Sequence, residues 1–253
     1  MAGAAVLGRL KWHLCTVVAL RDETETARTI ALQAPDWPGH VAGQRVDLRV
    51  TAADGYSAVR QYSIASAPST DGRIELSVER LPDGEVSPYL TQDLAVGGSL
   101  ELRGPIGGWF VWHHDQTEPI LLAAGGSGIV PLMSMIRSRA AAGSSTPFRL
   151  LYSVRHPASI WYRDELQNLT ADDHGVDVRY VYTRSAPPNW PRPPARIDAT
   201  LVAEAGWPPT LSPTCYVCGP TSFVEHVAEL LTASGHRPER IRTERFGPTG
   251  NRG

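Results

Sequence analysis

Between residues 9 and 110 apolar and polar positions alternate over short stretches broken by turn residues. The stretches WHLCTVVAL, TARTIALQA, QRVDLRV, VRQYSIA, RIELSVER and SLELRG are rich in β-branched residues, and PDWPGH, AADG and STDG supply the turns. Short strands without a long helix predict an antiparallel six-stranded β-barrel. From Pro119 the period changes. PILLAA, FRLLYSV, VDVRYVYT, TCYVCG and RIRTERFG are apolar runs of strand length. Between most of them lie helix-like segments: PLMSMIRSRAAA, YRDELQNL, DATLVAEA and SFVEHVAELLTAS. This alternation predicts βαβ units around a buried parallel sheet.

The fold class expected is therefore two-domain: a barrel over residues 1–113 and a C-terminal α/β parallel-sheet nucleotide-binding domain over 114–253. The boundary falls within VWHHDQTEP, residues 111–119. The Pro-rich stretch SAPPNWPRPPARID, 185–198, is too long for a tight turn and reads as an excursion beside a ligand.

Composition narrows the partners. The chain has 253 residues and a formal net charge of −2, which gives no electrostatic reason to expect nucleic acid or an anionic membrane. Three cysteines do not build a disulfide framework, so a reducing compartment is expected. The apolar run Leu14 to Leu20 reads as a strand, with no small-residue cleavage site after it. Ala2, not Gly, follows Met1, so N-myristoylation is not indicated. A cytoplasmic protein is the expectation.

GGSGIVPLMSMI, residues 125–136, nearly spells a dinucleotide-binding fingerprint. Gly126 and Gly128 stand where the first two glycines would, and Pro131 takes the third place. A strand, glycines and a helix start are the context in which backbone N–H groups and the helix dipole hold a diphosphate. Proline in the first helical turn is tolerated, but it gives up the close helix–strand contact that a third glycine allows. The alternative is a plain glycine turn. A serine-hydrolase elbow is excluded, because Ile129 occupies the position of its second glycine. In LPDGEVSPYL, Ser87 is a good N-cap and Pro88 a good first helical residue. With Gly84 upstream, that helix start is either a second anion site or an ordinary cap. In RQYSIAS, Arg60 and Tyr62 share one face of a strand, suiting a phosphate beside a flat heterocycle.

Taken in order, R-x-Y-S (Arg60, Gln61, Tyr62, Ser63), G-x-x-S (Gly84, Val86, Ser87), G-G-x-G-I-x-P (Gly125 to Pro131), C-G-P (Cys218, Gly219, Pro220) and E-x-aromatic (Glu244, Phe246) make the chain resemble the ferredoxin–NADP reductase superfamily. The resemblance spans nearly the whole length and implies a flavin-binding barrel ahead of a nicotinamide-nucleotide domain. Pro131 is normal in that family. By resemblance, Arg60 contacts the flavin diphosphate, Tyr62 packs on the isoalloxazine ring, and Ser63 lies near flavin N5. Gly84 to Ser87 present backbone N–H groups to the flavin diphosphate, while Gly126, Ser127 and Gly128 hold that of the nicotinamide nucleotide. Cys218 and Glu244 border the hydride-transfer site, and Phe246, often Tyr in relatives, covers the ring. FAD is expected over FMN. The implied activity is an NAD(P)H-dependent flavoprotein reductase passing electrons to a separate protein acceptor, such as a ferredoxin, a flavodoxin or an oxygenase component. Two alternatives stay open: a non-catalytic flavoprotein-like binding subunit, and a reductase of free flavin, dioxygen or quinone. Family members often carry an iron–sulfur domain; without a cysteine quartet, this chain holds no four-cysteine cluster by itself.

Strand ends bear on the donor. LLYSVRHP ends with Ser153 and Arg155, and VYTRSAPP with Thr183 and Arg184, with no carboxylate at either end. Hydroxyls and guanidiniums suit a 2′-phosphate, so NADPH is expected over NADH. Arg163 is a lesser candidate, because its helix could turn it to solvent. No metal is expected. Cys215 and Cys218, three apart on a strand, point to opposite faces, and His113–His114 lacks a third ligand.

Overall fold

The computed structural model describes residues 10–52, 54–171 and 175–246. The nine residues that include Ala2 lie outside them. Strands β1 (Trp12–Thr24), β2 (Ala27–Gln33), β3 (Arg45–Thr51), β4 (Ser57–Ser63), β5 (Arg73–Glu79) and β6 (Ser99–Ile106) pair antiparallel in the order β4-β3-β6-β1-β2-β5. A bridge between Ile64 and Leu76 joins the two outer strands and closes the sheet into a barrel. Its interior is filled by alternating inward residues, among them Val46, Leu48, Leu76 and Leu102. β1 outruns the stretch its pattern predicts. Register irregularities after Val17 and Asp22 bend it, so its first residues pair with β6 and the rest with β2.

The second sheet is parallel. β7 (Ile120–Gly125), β8 (Phe148–Val154), β9 (Val176–Tyr182), β10 (Thr214–Pro220) and β11 (Ile241–Phe246) lie in the order β11-β10-β7-β8-β9. Helices α1 (Ile129–Ala141), α2 (Arg163–Ala171), α3 (Ala199–Ala205) and α4 (Thr221–Ala233) cover it. β7 is buried along its whole length because both of its faces are covered. Leu122 and Ala124 pack with Ile129, Leu132 and Ile136 of α1, whereas Leu121 and Ala123 pack with Val202 of α3 and Val224 of α4. Ala27, Ala42 and Ala65 of the barrel join the first of these clusters, so the two sheets share continuous apolar packing. From β7 the chain adds β8 and β9 on one side, then returns to add β10 and β11 on the other. The crevice at the carboxyl ends of β7 and β10 is therefore the topological switch point, where open α/β sheets bind ligands. No helix among the described residues is long and apolar enough to cross a membrane.

Candidate active site

Two glycine-governed turns frame that crevice. Gly126 has φ +55° and opens a tight 3-10 turn, Gly126–Gly128, which leads into α1. A Cβ on Gly126 would meet nothing within 4 Å, so its backbone faces open space. A Cβ on Gly128 would lie 2.1 Å from the Cys218 carbonyl oxygen. The close helix–strand contact that Pro131 cannot supply is thus supplied three residues earlier. Phe223, on the first turn of α4, lies against both Gly125 and Gly219, where an added Cβ would approach its ring to 2.7 and 2.9 Å. No local pattern marks Phe223. Ile129 and Pro131 are buried, Ser127 is half-buried, and Pro220 is exposed at the start of α4.

Parallel pairing sets Cys218 beside Glu244 and Pro220 beside Phe246. Glu244 then reaches out of its own sheet to the barrel: Ser63 Oγ donates to its Oε1 at 3.4 Å, and Arg45 Nη1 lies 3.5 Å from its Oε2. Burial raises the Glu244 carboxyl above its ordinary range, with Arg45 and then Ser63 pulling the other way. Burial also raises the Cys218 thiol, helped by the neighbouring Glu244 charge, so Cys218 stands there as a neutral thiol. Phe246 is half-buried against the same core as Cys218. Sequence reading missed Arg45, whose partner lies 199 positions away. Cys215 belongs to the opposite core layer from Cys218, so the two thiols do face apart.

On the barrel, Arg60 is half-exposed and donates to Glu85 at 2.8 Å. A carboxylate here occupies the anion position of this guanidinium, so the donor set suits a phosphate oxygen. Tyr62 packs against the barrel core, and burial pushes its hydroxyl up to about 12. The Gln61 amide donates to Asp47 at 3.0 Å, and Val86 is buried in the barrel core.

The expectation that Ser87 caps a helix is corrected. Its hydroxyl instead accepts from the Leu81 N–H at 3.0 Å, and its own carbonyl is taken by the Thr91 hydroxyl at 2.8 Å. A short helical run does begin at Ser87 and Pro88, with Leu90 N donating to Val86 O at 3.1 Å, and widens into a π turn at Tyr89–Asp93, but no side chain caps it. The reason is local competition: Ser87 fastens the tight turn that Gly84 makes, where a Cβ would crowd Ser87 Oγ at 2.7 Å.

The ends of β8 and β9 are joined. Thr183 N donates to Val154 O, and Arg184 N and Ser185 N both donate to Arg155 O. Arg155 and Arg184 are exposed side by side, Ser153 is buried, and His156 Nδ1 lies 2.8 Å from Ser185 Oγ. Arg163 does not turn to solvent; its guanidinium donates to the Pro157 carbonyl. In the Pro-rich excursion, Trp190 stands edge-on to Tyr182 at 4.9 Å.

The match to known proteins follows this geometry. The family model described as "Oxidoreductase FAD-binding domain" matches residues 18–111, and that described as "Oxidoreductase NAD-binding domain" matches 122–229. The chain thus carries an oxidoreductase FAD-binding domain followed by an oxidoreductase NAD-binding domain, the order that its resemblance to the ferredoxin–NADP reductase superfamily implies. It is 30% identical to a glycine betaine monooxygenase reductase subunit of Chromohalobacter salexigens, over 94% of this chain and 65% of that protein. It is 29% identical to the ferredoxin–NAD(P)(+) reductase component of the naphthalene 1,2-dioxygenase/salicylate 5-hydroxylase systems of a Ralstonia species, over 93% and 69%. Against several of these relatives the chain spans less than two thirds of their length. Among solved structures, the FAD/NAD binding domain of a nitric oxide dioxygenase from Vibrio cholerae superposes with a TM-score of 0.82 at 25% identity, covering 93% of this chain and 99% of that one. FAD and a nicotinamide nucleotide are thus the two cofactors of this chain, the first matched to the barrel and the second to the parallel-sheet domain.

Proposed function

We propose that this reductase takes electrons from NAD(P)H through FAD and delivers them to a separate protein acceptor of the kind its oxygenase-system relatives serve. The observation that carries this reading is the convergence of Ser63 and Arg45, from the barrel, on Glu244, which is paired with Cys218 in the parallel sheet. Such a junction lets a group bound to one sheet meet a group bound to the other. When bound, the flavin supplies the chemistry that links a two-electron donor to one-electron acceptors.

The chain's own residues do the rest. Arg60 would hold the flavin diphosphate, in the place where Glu85 now pairs with it. Tyr62 would back the flavin ring, and the Ser63 hydroxyl, which donates to Glu244, would stand near its reacting edge and could exchange a proton with that carboxyl. Gly126 offers an unobstructed backbone to the nicotinamide diphosphate, and Gly128 holds that loop against Cys218. Cys218, buried and neutral, would border the nicotinamide and help keep water out. Phe246, half-buried beside Cys218, would cover the flavin ring face. Arg155 and Arg184, with Ser153 and Thr183 behind them, favour a 2′-phosphate and hence NADPH. We place the domain boundary between residues 113 and 114, and a cytoplasmic setting fits the three free, buried thiols.

The test is anaerobic titration of the purified protein, whose visible flavin band should bleach with NADPH, and more weakly with NADH. The reduced protein should then reduce a plant-type ferredoxin. A flavin that neither nucleotide bleaches would sink the catalytic reading in favour of a binding subunit. Bleaching with transfer only to free flavin, quinone or dioxygen would move the acceptor to a small molecule.

A further inference from the structure

Helix α1 carries the Gly126–Gly128 turn at its start and grips the barrel from its middle. The Ser134 hydroxyl, fully buried, donates to the Ser66 carbonyl at 2.7 Å. One turn on, Arg137 Nη1 donates to the Ala65 carbonyl at 3.0 Å. Ala65 and Ser66 lie two and three residues after Ser63. The spacing of 134 and 137 puts both grips on one helix face. A single rigid helix therefore runs from the nicotinamide loop to the segment that leaves the flavin strand.

Arg137 is the hub of this junction. Its Nη1 also meets Glu75 of β5 at 3.0 Å, and its Nε and Nη2 form a fork on Glu165 of α2 at 2.7 and 2.6 Å. Its guanidinium lies 5.0 Å from the centre of the Tyr162 ring. Tyr162 holds a left-handed backbone, φ +55°, and is tied to the barrel twice. Its N–H donates to Glu23 at 2.8 Å and its hydroxyl to Ser77 at 2.5 Å. A non-glycine residue keeps such a conformation only where its surroundings over-determine it. Ion pairs placed to add stability alone need not hold two main-chain carbonyls of the neighbouring domain. This one holds Ala65 by Arg137 while its helical neighbour Ser134 holds Ser66.

We propose that Ser134 and Arg137 are positioning residues for hydride transfer: they fix the nicotinamide loop at a set distance from Ser63. The inference rests on the reductase reading above. A lysine at 137 retains the charge but loses the planar fork, so it can serve some partners and not all. A misplacement of about 1 Å at a reacting centre costs about 100-fold in rate.

The experiment compares wild type with Arg137→Met, Arg137→Lys and Ser134→Ala. Rapid-mixing reduction at saturating NADPH should show the limiting rate falling about 10- to 100-fold in Arg137→Met, with smaller losses in the other two. Flavin content and the NADPH concentration at half-saturation should change little. A second readout needs no cofactor. Spin labels on Thr70→Cys and Ala203→Cys, both exposed sites on different domains, should give a broader distance distribution in the Arg137→Met background. The native cysteines are buried and stay unlabelled. Should Arg137→Met fail to fold, Arg137→Lys and Ser134→Ala decide by the same two readouts. Wild-type limiting rates with unbroadened distances would overturn the proposal. A wild-type flavin that no nucleotide reduces would overturn the reductase reading, and this inference with it.

Discussion

Ser63 and Glu244, 181 positions apart, face each other at 3.4 Å between the barrel and the parallel sheet. Neither sheet alone contains this pair, and burial at their junction is what raises the Glu244 carboxyl. A raised carboxyl binds its proton more tightly folded than unfolded. Stability therefore falls as pH rises from the ordinary carboxylate value through the raised one. Glu244→Gln removes that dependence. Its melting temperature should gain on wild type as pH climbs through the window and stay ahead at neutral pH. A gap between the two proteins that stays constant from acid to neutral pH refutes the assignment.

Arg60 pairs with Glu85 at 2.8 Å, so under the proposed flavin-binding role Glu85 would compete with the flavin phosphate for Arg60. Arg60→Ala gives up a charge-assisted hydrogen bond of about 1.5–3 kcal/mol, so flavin should bind about 10- to 150-fold more weakly. Glu85→Gln frees the guanidinium from an exposed pair of about 0.2–1 kcal/mol, and should tighten flavin by up to about five-fold. Titration of stripped protein with FAD measures both. Weaker binding in Glu85→Gln would mean that Glu85 itself contacts the cofactor.

Gly128 separates packing from ligand approach. An alanine there would drive a methyl into the Cys218 carbonyl at 2.1 Å, which backbone cannot yield cheaply. Gly128→Ala should lose about 1–3 kcal/mol or more, the cost of overpacking, seen as an earlier thermal transition without any nucleotide present. An unchanged melt would show that the loop relaxes away from β10.

Arg155→Ala and Arg184→Ala test the choice of donor. Each should raise KM for NADPH about 10- to 150-fold, from about 1.5–3 kcal/mol per charge-assisted bond. KM for NADH should barely move. Equal effects on both nucleotides, or a wild type that prefers NADH, would reassign the two arginines to the bare strand ends.

The alternation from residue 9 to 110 and the change of rhythm at Pro119 were enough to place the strands of both sheets and the main helices, because each period follows from which faces are buried. The glycines at 126 and 128 were legible as a strand-to-helix turn too, since such a tight turn needs backbone without side chains. The division of labour between them was not. Gly128 is required by Cys218, ninety positions later, and only the parallel pairing of β7 with β10 brings the two together. Ser87 shows the same limit at short range: its residue type suits a cap, but the Leu81 N–H across the turn was nearer. Arg45, Glu85, Phe223 and Arg137 carried no local signal, because their partners come from other elements. Sequence determined which segments form strands, helices and turns, through contacts between near neighbours. The tertiary structure alone decided which carboxylate meets which hydroxyl, since burial and charge pairing between distant segments exist only once both sheets are packed.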